Sequence, residues 1–159
     1  MAHTIVIFGA SGDLTSRKLI PALYQLAKKG RLPSKTNIVG FSRTQFTHEA
    51  WRKQMGESTA KQVGASFDDA LWNQFAERLY YHPGDIGHPE DFNQLAKFLG
   101  ELEQNSPSVR LYYLATAPEF YQPAIAELGR AGLARESEDN QRRVIVEKPF
   151  GTNLESARN

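Results

Sequence analysis

With 159 residues, 40% of them hydrophobic and 23% charged, the chain has the length of about one domain and enough apolar material for a single core. A formal net charge of +1 excludes the basic excess of a nucleic-acid or membrane-surface protein, so any anion site has to be local. The absence of cysteine removes disulfides, thiolate metal sites and thiol nucleophiles, and no metal is expected. The apolar stretch Ile5 to Phe8 is too short to span a bilayer and lacks the basic flank of a signal peptide, so the expectation is a cytoplasmic protein with no membrane partner.

Short apolar runs alternate with amphipathic stretches, without repeats or low-complexity tracts. Thr4–Phe8 is a β-branched run ending at a glycine and reads as a buried strand. Leu14, Leu19, Leu23, Leu26 and Ala27 then recur at helical spacing over 13–29, with Gly30 as the stop and Pro21 as a kink or a segment boundary. Ile38–Phe41 is the second strand, and a mostly helical region with a polar break near 64–67 runs from His48 to Arg78. A third strand, Leu79–His82, closes on Pro83 and Gly84, and a helix follows over Pro89–Leu102. Val109–Ala115 forms the fourth strand, Pro118–Ala131 another helix with Pro123 ill-placed, and Arg143–Glu147 the fifth strand. Strands alternating with helices predict an α/β fold, a Rossmann-type doubly wound parallel sheet in three αβα layers with strand order 3-2-1-4-5. In such a sheet ligands bind beyond the carboxyl ends of the strands, so the informative residues should follow each strand.

Gly9-Ala10-Ser11-Gly12-Asp13-Leu14 joins the first strand to the first helix. Two glycines allow a tight turn and close approach of a ligand, and the helix N-terminus offers free N–H groups and a positive dipole end suited to a pyrophosphate. Gly-x-x-Gly also serves as a plain structural turn; its position after the first strand is what favours the phosphate reading. Thr15, Arg17 and Lys18 add a hydroxyl and cations nearby, and Asp13 reads as a helix cap or backbone staple. The second strand ends Gly40-Phe41-Ser42-Arg43-Thr44, without the acid that holds an NAD ribose. Arg43 supplies a planar cation for the 2′-phosphate of NADP, with the Ser42 and Thr44 hydroxyls beside it; the other reading of Arg43 is a solvated loop arginine. After the third strand, Ile86 can pack on an adenine ring and Asp85 can anchor a polar edge or the loop itself, though a simple turn accounts for them equally well.

Ile7-Phe8-Gly9-Ala10-Ser11-Gly12-Asp13-Leu14-Thr15 with Arg17-Lys18, together with Val146-Glu147-Lys148-Pro149-Phe150-Gly151, resembles the two N-terminal signatures of the glucose-6-phosphate dehydrogenase family. Ile38–Thr44 and Tyr113-Leu114-Ala115-Thr116-Ala117-Pro118 resemble that family's second and fourth strand ends. The resemblance covers nearly the whole chain, and its two signatures are specific in combination. It implies hydride transfer from C1 of β-D-glucose 6-phosphate to NADP⁺, giving the 6-phosphogluconolactone of the pentose phosphate pathway. It further implies that Gly9 to Leu14 and Thr15 hold the coenzyme, with Ala115, Thr116 and Tyr121 near it and Arg43 on the 2′-phosphate. Lys148 would contact both substrate and nicotinamide, with Lys18 close to the sugar phosphate and Pro149 fixing the backbone beside Lys148.

The family's catalytic histidine and its Asp-His-Tyr-Leu-Gly-Lys segment lie C-terminal to the matched region, and none of His3, His48, His82 and His88 sits in such a motif. His82 and His88 read as surface residues. The chain is therefore expected to be one NADP-binding domain over 1–159, inactive alone, lacking the substrate and dimerisation domain of homo-oligomeric relatives and itself monomeric. Two other readings stand beside it. One is a different Rossmann sugar oxidoreductase with Glu-Lys-Pro at the fifth strand, which the first turn disfavours. The other is a stand-alone NADP-binding regulatory module.

Overall fold

The computed structural model describes residues 2–33 and 35–146. Five strands, β1 (Ala2–Phe8), β2 (Asn37–Ser42), β3 (Leu79–Pro83), β4 (Ser108–Leu114) and β5 (Gln141–Val146), form one sheet in the order β3-β2-β1-β4-β5. Every pairing is parallel, with Ile7 of β1 opposite Gly40 of β2 and Tyr113 of β4. β1, which the sequence reads from Thr4, begins at Ala2, whose amide donates to the Pro107 carbonyl.

Alternate residues of the central strands feed two cores. On one face Ile5, Ile7, Ile38 and Leu79 pack against α1 (Ile20–Lys28), α2 (His48–Val63) and α3 (Asp69–Ala76), through Ile20, Tyr24, Trp51, Met55, Trp72 and Phe75. On the other face Val6, Phe8, Val39, Phe41, Tyr112 and Leu114 pack against α4 (Pro89–Leu102) and α5 (Tyr121–Arg130). Burial on both faces explains why the strands are apolar runs rather than alternating ones. The three-layer αβα sandwich expected from the sequence is the fold observed.

The ill-placed prolines have local solutions. A π-helical turn, Thr15–Leu19, precedes α1, and the Ile20 amide donates to the Thr15 carbonyl five residues back. This wide turn absorbs one residue and sets Pro21 at the start of a fresh α-helical register, where no amide donor is required. Pro123 falls in the first turn of α5, after a 3₁₀ turn at Pro118–Phe120, where its missing N–H again breaks no helical bond. The polar break near 64–67 is a 3₁₀ turn, Gly64–Ser66, after which Asp68 caps α3 by accepting from the Leu71 amide at 3.1 Å. Among the described residues no helix is long and apolar enough to cross a membrane, and no group of acidic or histidine side chains could hold a metal ion.

Candidate functional site

The carboxyl ends of β1 to β4 open into a cleft of about 190 Å³ lined by Gly9, Ser11, Phe41–Thr44, Gly84–Ile86, Thr116 and Phe120. Its floor is the β1 turn. Gly9 has φ +89°, and a Cβ there would stand 2.5 Å from the Ala115 carbonyl oxygen. Only glycine lets this turn adopt that conformation and lie flat against β4. The turn is laced to the sheet, with the Gly9 amide donating to the Phe41 carbonyl at 2.9 Å and the Ala115 amide to the Phe8 carbonyl at 2.9 Å. Across the cleft, a Cβ at Gly84 would lie 2.4 Å from the Phe41 ring, so a side chain there would displace the wall.

Not every residue singled out from the sequence faces this cleft. Ala10 is fully buried; its amide points at the Phe41 carbonyl (3.3 Å) and its carbonyl accepts from the Trp51 indole (3.3 Å). It sets the thickness of the turn and leaves no group for a ligand. Thr15 is also fully buried, and its hydroxyl donates to the Gly9 carbonyl at 3.1 Å. Thr15 is thus the staple of the turn. Asp13 makes no cap or staple with its side chain among the described residues, and the helix entry carries no side-chain cap at Leu14. Leu14 is half-buried, while Asp13, Arg17 and Lys18 are exposed outside the cleft lining.

Ser42, Arg43, Asp85, Ile86 and Thr116 do line the cleft. The Arg43 guanidinium makes no hydrogen bond or ion pair among the described residues. Ser42 differs from its sequence reading, because its hydroxyl is hydrogen-bonded to the Tyr81 phenol. Asp85 shapes its own loop, accepting from the Gly87 amide at 2.9 Å while its own amide donates to Asp91 at 2.8 Å. Ala115 sits behind Gly9 and contributes its backbone. Tyr121 lies in the core under β4, only 9% exposed, and the ring that reaches the cleft is its neighbour Phe120, 38% exposed. A phenylalanine in the proline-led segment that follows the fourth strand was the available signal for Phe120. His82 is half-buried rather than on the surface, stacked on Phe41 (5.9 Å) and tilted against Phe98 (5.6 Å). Lys148 and Pro149 lie outside the described residues.

A turn that excludes side chains, a helix N-terminus behind it, a guanidinium on one rim that is unpaired among the described residues and apolar walls at Ile86 and Phe120 fit a dinucleotide laid across the strand ends. A family model described as "Glucose-6-phosphate dehydrogenase, NAD binding domain" matches residues 6–159. The chain belongs to that family. Its relatives include the glucose-6-phosphate 1-dehydrogenase of Chlamydia pneumoniae, 37% identical over 97% of this chain and 31% of the relative. That of Aggregatibacter actinomycetemcomitans is 41% identical over 96% and 31%. A solved glucose-6-phosphate dehydrogenase, in complex with its substrate glucose-6-phosphate, superposes with a TM-score of 0.84 at 36% identity, covering 98% of this chain and 32% of that one. The enzyme from Mycobacterium avium gives 0.82 at 34% identity over 99% and 32%. The chain spans about a third of the length of these glucose-6-phosphate dehydrogenases, and it is their nicotinamide-coenzyme-binding domain that it reproduces.

Proposed function

We propose that the chain is the NADP-binding part of a glucose-6-phosphate 1-dehydrogenase, with a preference for NADP over NAD set by Arg43. One observation carries this reading: on the rim of the cleft, next to the end of β2, stands a guanidinium with no hydrogen-bond or ion-pair partner among the described residues, where an NAD site would present a carboxylate. A planar, permanently charged group with several donors suits a phosphate monoester better than a ribose hydroxyl. Gly9, Ser11 and the helix N-terminus would hold the pyrophosphate, and Ile86 and Phe120 would flank the ring systems. The coenzyme, when bound, supplies the hydride acceptor; this chain's residues bind and orient it and keep the cleft floor free of side chains.

Lys18, Lys148 and Pro149 are proposed to approach glucose 6-phosphate from this side of the site, and the substrate and dimerisation parts to belong to the remaining two thirds of a full-length relative. No histidine lines the cleft among the described residues. His48 accepts from the Tyr81 amide at 2.8 Å, His82 is stacked in an aromatic cluster, and His3 lies in the amino-terminal half of β1. Without a histidine base at the cleft, the 159-residue chain is proposed to bind coenzyme and oxidise nothing.

Calorimetric titration of the chain with NADP⁺ and NAD⁺ tests both parts. The charge-assisted contact, about 1.5–3 kcal/mol, corresponds to roughly a 10- to 150-fold preference for NADP⁺, and Arg43→Ala should remove most of it. Equal affinities before and after the substitution defeat the assignment. Turnover of glucose 6-phosphate by the chain at saturating coenzyme defeats the missing-base argument.

A further inference from the structure

Tyr81 lies on β3, away from the cleft lining and only 3% exposed, yet its phenol meets the chain on both sides of Arg43. Its hydroxyl donates to the Thr44 carbonyl at 2.6 Å, with the Ser42 carbonyl at 3.3 Å as a longer alternative, and it accepts from the Ser42 hydroxyl. One phenolic proton and its lone pairs therefore satisfy this arrangement, with Ser42 as donor and Thr44 as acceptor. The ring itself cannot wander. It stands edge-on to Phe46 at 5.3 Å and against Trp51 at 5.5 Å, and the Tyr81 amide is held by His48 Nδ1 at 2.8 Å. The far end of the same loop is fastened separately, where the Thr47 hydroxyl accepts from the Ala50 amide at 3.0 Å and opens α2. Burial pushes the Tyr81 phenol above its ordinary pKa, with the Ser42 hydrogen bond opposing that shift, so the donor persists across neutral pH.

Loops of five residues between a strand and a helix have several conformations open to them, and holding a guanidinium in one of them costs entropy that a ligand otherwise has to supply. We propose that Tyr81 is a positioning residue for recognition of the coenzyme's 2′-phosphate, pre-setting the Ser42–Arg43–Thr44 backbone so that Arg43 is presented to the cleft rim. The inference rests on the reading of Arg43 given above.

The experiment uses two small probes that share an adenosine 5′-phosphate and differ only at the 2′ position: adenosine 2′,5′-bisphosphate and 5′-AMP. Tyr81→Phe keeps the ring and its packing while deleting the hydroxyl. It should weaken the bisphosphate by about tenfold while 5′-AMP stays within about twofold. Arg43→Ala should weaken the bisphosphate at least as much, and adding Tyr81→Phe to it should cost nothing more, since the loop then has no charge to position. Loss of affinity for both probes alike, or for neither, with the Arg43→Ala effect intact, overturns the role of Tyr81 and leaves the coenzyme reading standing. An unchanged bisphosphate preference in Arg43→Ala overturns the reading beneath it. Ser42→Ala serves as the second variant: it keeps the phenol-to-Thr44 bond and should lose no more than about half of the Tyr81→Phe effect in logarithmic terms.

Discussion

The two ends of the parallel sheet are made from the same strands but satisfy their polar groups in opposite ways. At the amino end Glu103, 4% exposed, receives two parallel bonds from Arg110 (2.7 and 3.0 Å) and one from the Thr4 hydroxyl (2.7 Å). Nearby, Asn140 accepts from the Ser108 amide at 2.9 Å, and Arg142 donates to the Ser108 carbonyl at 2.9 Å. At the carboxyl end the glycine turn holds side chains away, and Arg43 points from the rim with no protein counter-ion among the described residues. The Glu103–Arg110 charges are satisfied by each other at one end, while at the other Arg43 has no such partner among the described residues. The lesson is that a charged residue near a strand end marks a site only when the protein has not already paired it.

Breaking the amino-end pair should give the largest effect. Glu103→Gln leaves a buried guanidinium without its counter-charge and should cost about 3–5 kcal/mol, read as a lowered midpoint of chemical denaturation. The proposed NADP over NAD preference, measured on the folded fraction, should not move. If the preference changed with it, the two ends would not be independent.

At the carboxyl end Gly9→Ala should act on both stability and binding. The positive φ alone costs about 1–2 kcal/mol, and the new Cβ would be forced against the Ala115 carbonyl. Moving the turn away from β4 to relieve it should reduce affinity for both coenzymes by at least about tenfold, whereas the effect proposed for Arg43→Ala is selective for NADP⁺. Selective loss of NADP⁺ alone in Gly9→Ala would contradict the division of labour between turn and rim.

The smallest effect concerns pH. Burial holds His48 and His82 below the ordinary histidine value of 6.5, with Arg52 adding to the shift at His48 and Asp91 opposing it at His82. Both groups are lowered in the folded state, so the unfolded chain takes up their protons first as pH falls. Their contribution to stability is complete above about pH 6.5 and is lost as pH drops through the folded values. The thermal midpoint should be flat above that pH and fall below it by on the order of a few degrees. His82→Phe should flatten the descent. A midpoint indifferent to pH between about 7 and 5 would show that neither ring is protected.

Much of this was legible along the chain. Local apolar runs specified all five strands to within two residues at their boundaries; the central strands are apolar because they are buried on both faces, while β5 carries Val144 and Ile145 exposed. The right-handed crossover rule then leaves few strand orders, and 3-2-1-4-5 is the one observed. Gly9, Arg43, Asp85, Ile86 and Thr116 were readable because strand ends are where such sheets bind ligands.

Roles that depend on where a side chain points were not readable. Thr15 and Ala10 share the signature with Gly9 and Ser11, but they are buried, engaging the Gly9 carbonyl and the Trp51 indole respectively, and no local pattern separates the two directions. Tyr81 looked like one more strand aromatic until the parallel register set it beside the end of β2 and brought its hydroxyl to the residues on either side of Arg43. Residue types and their order determined which chemistry this chain could hold and at which edge of the sheet. Which of those groups remained available for a ligand was decided by three-dimensional packing, because a hydrogen bond already made inside the protein is one the ligand cannot have.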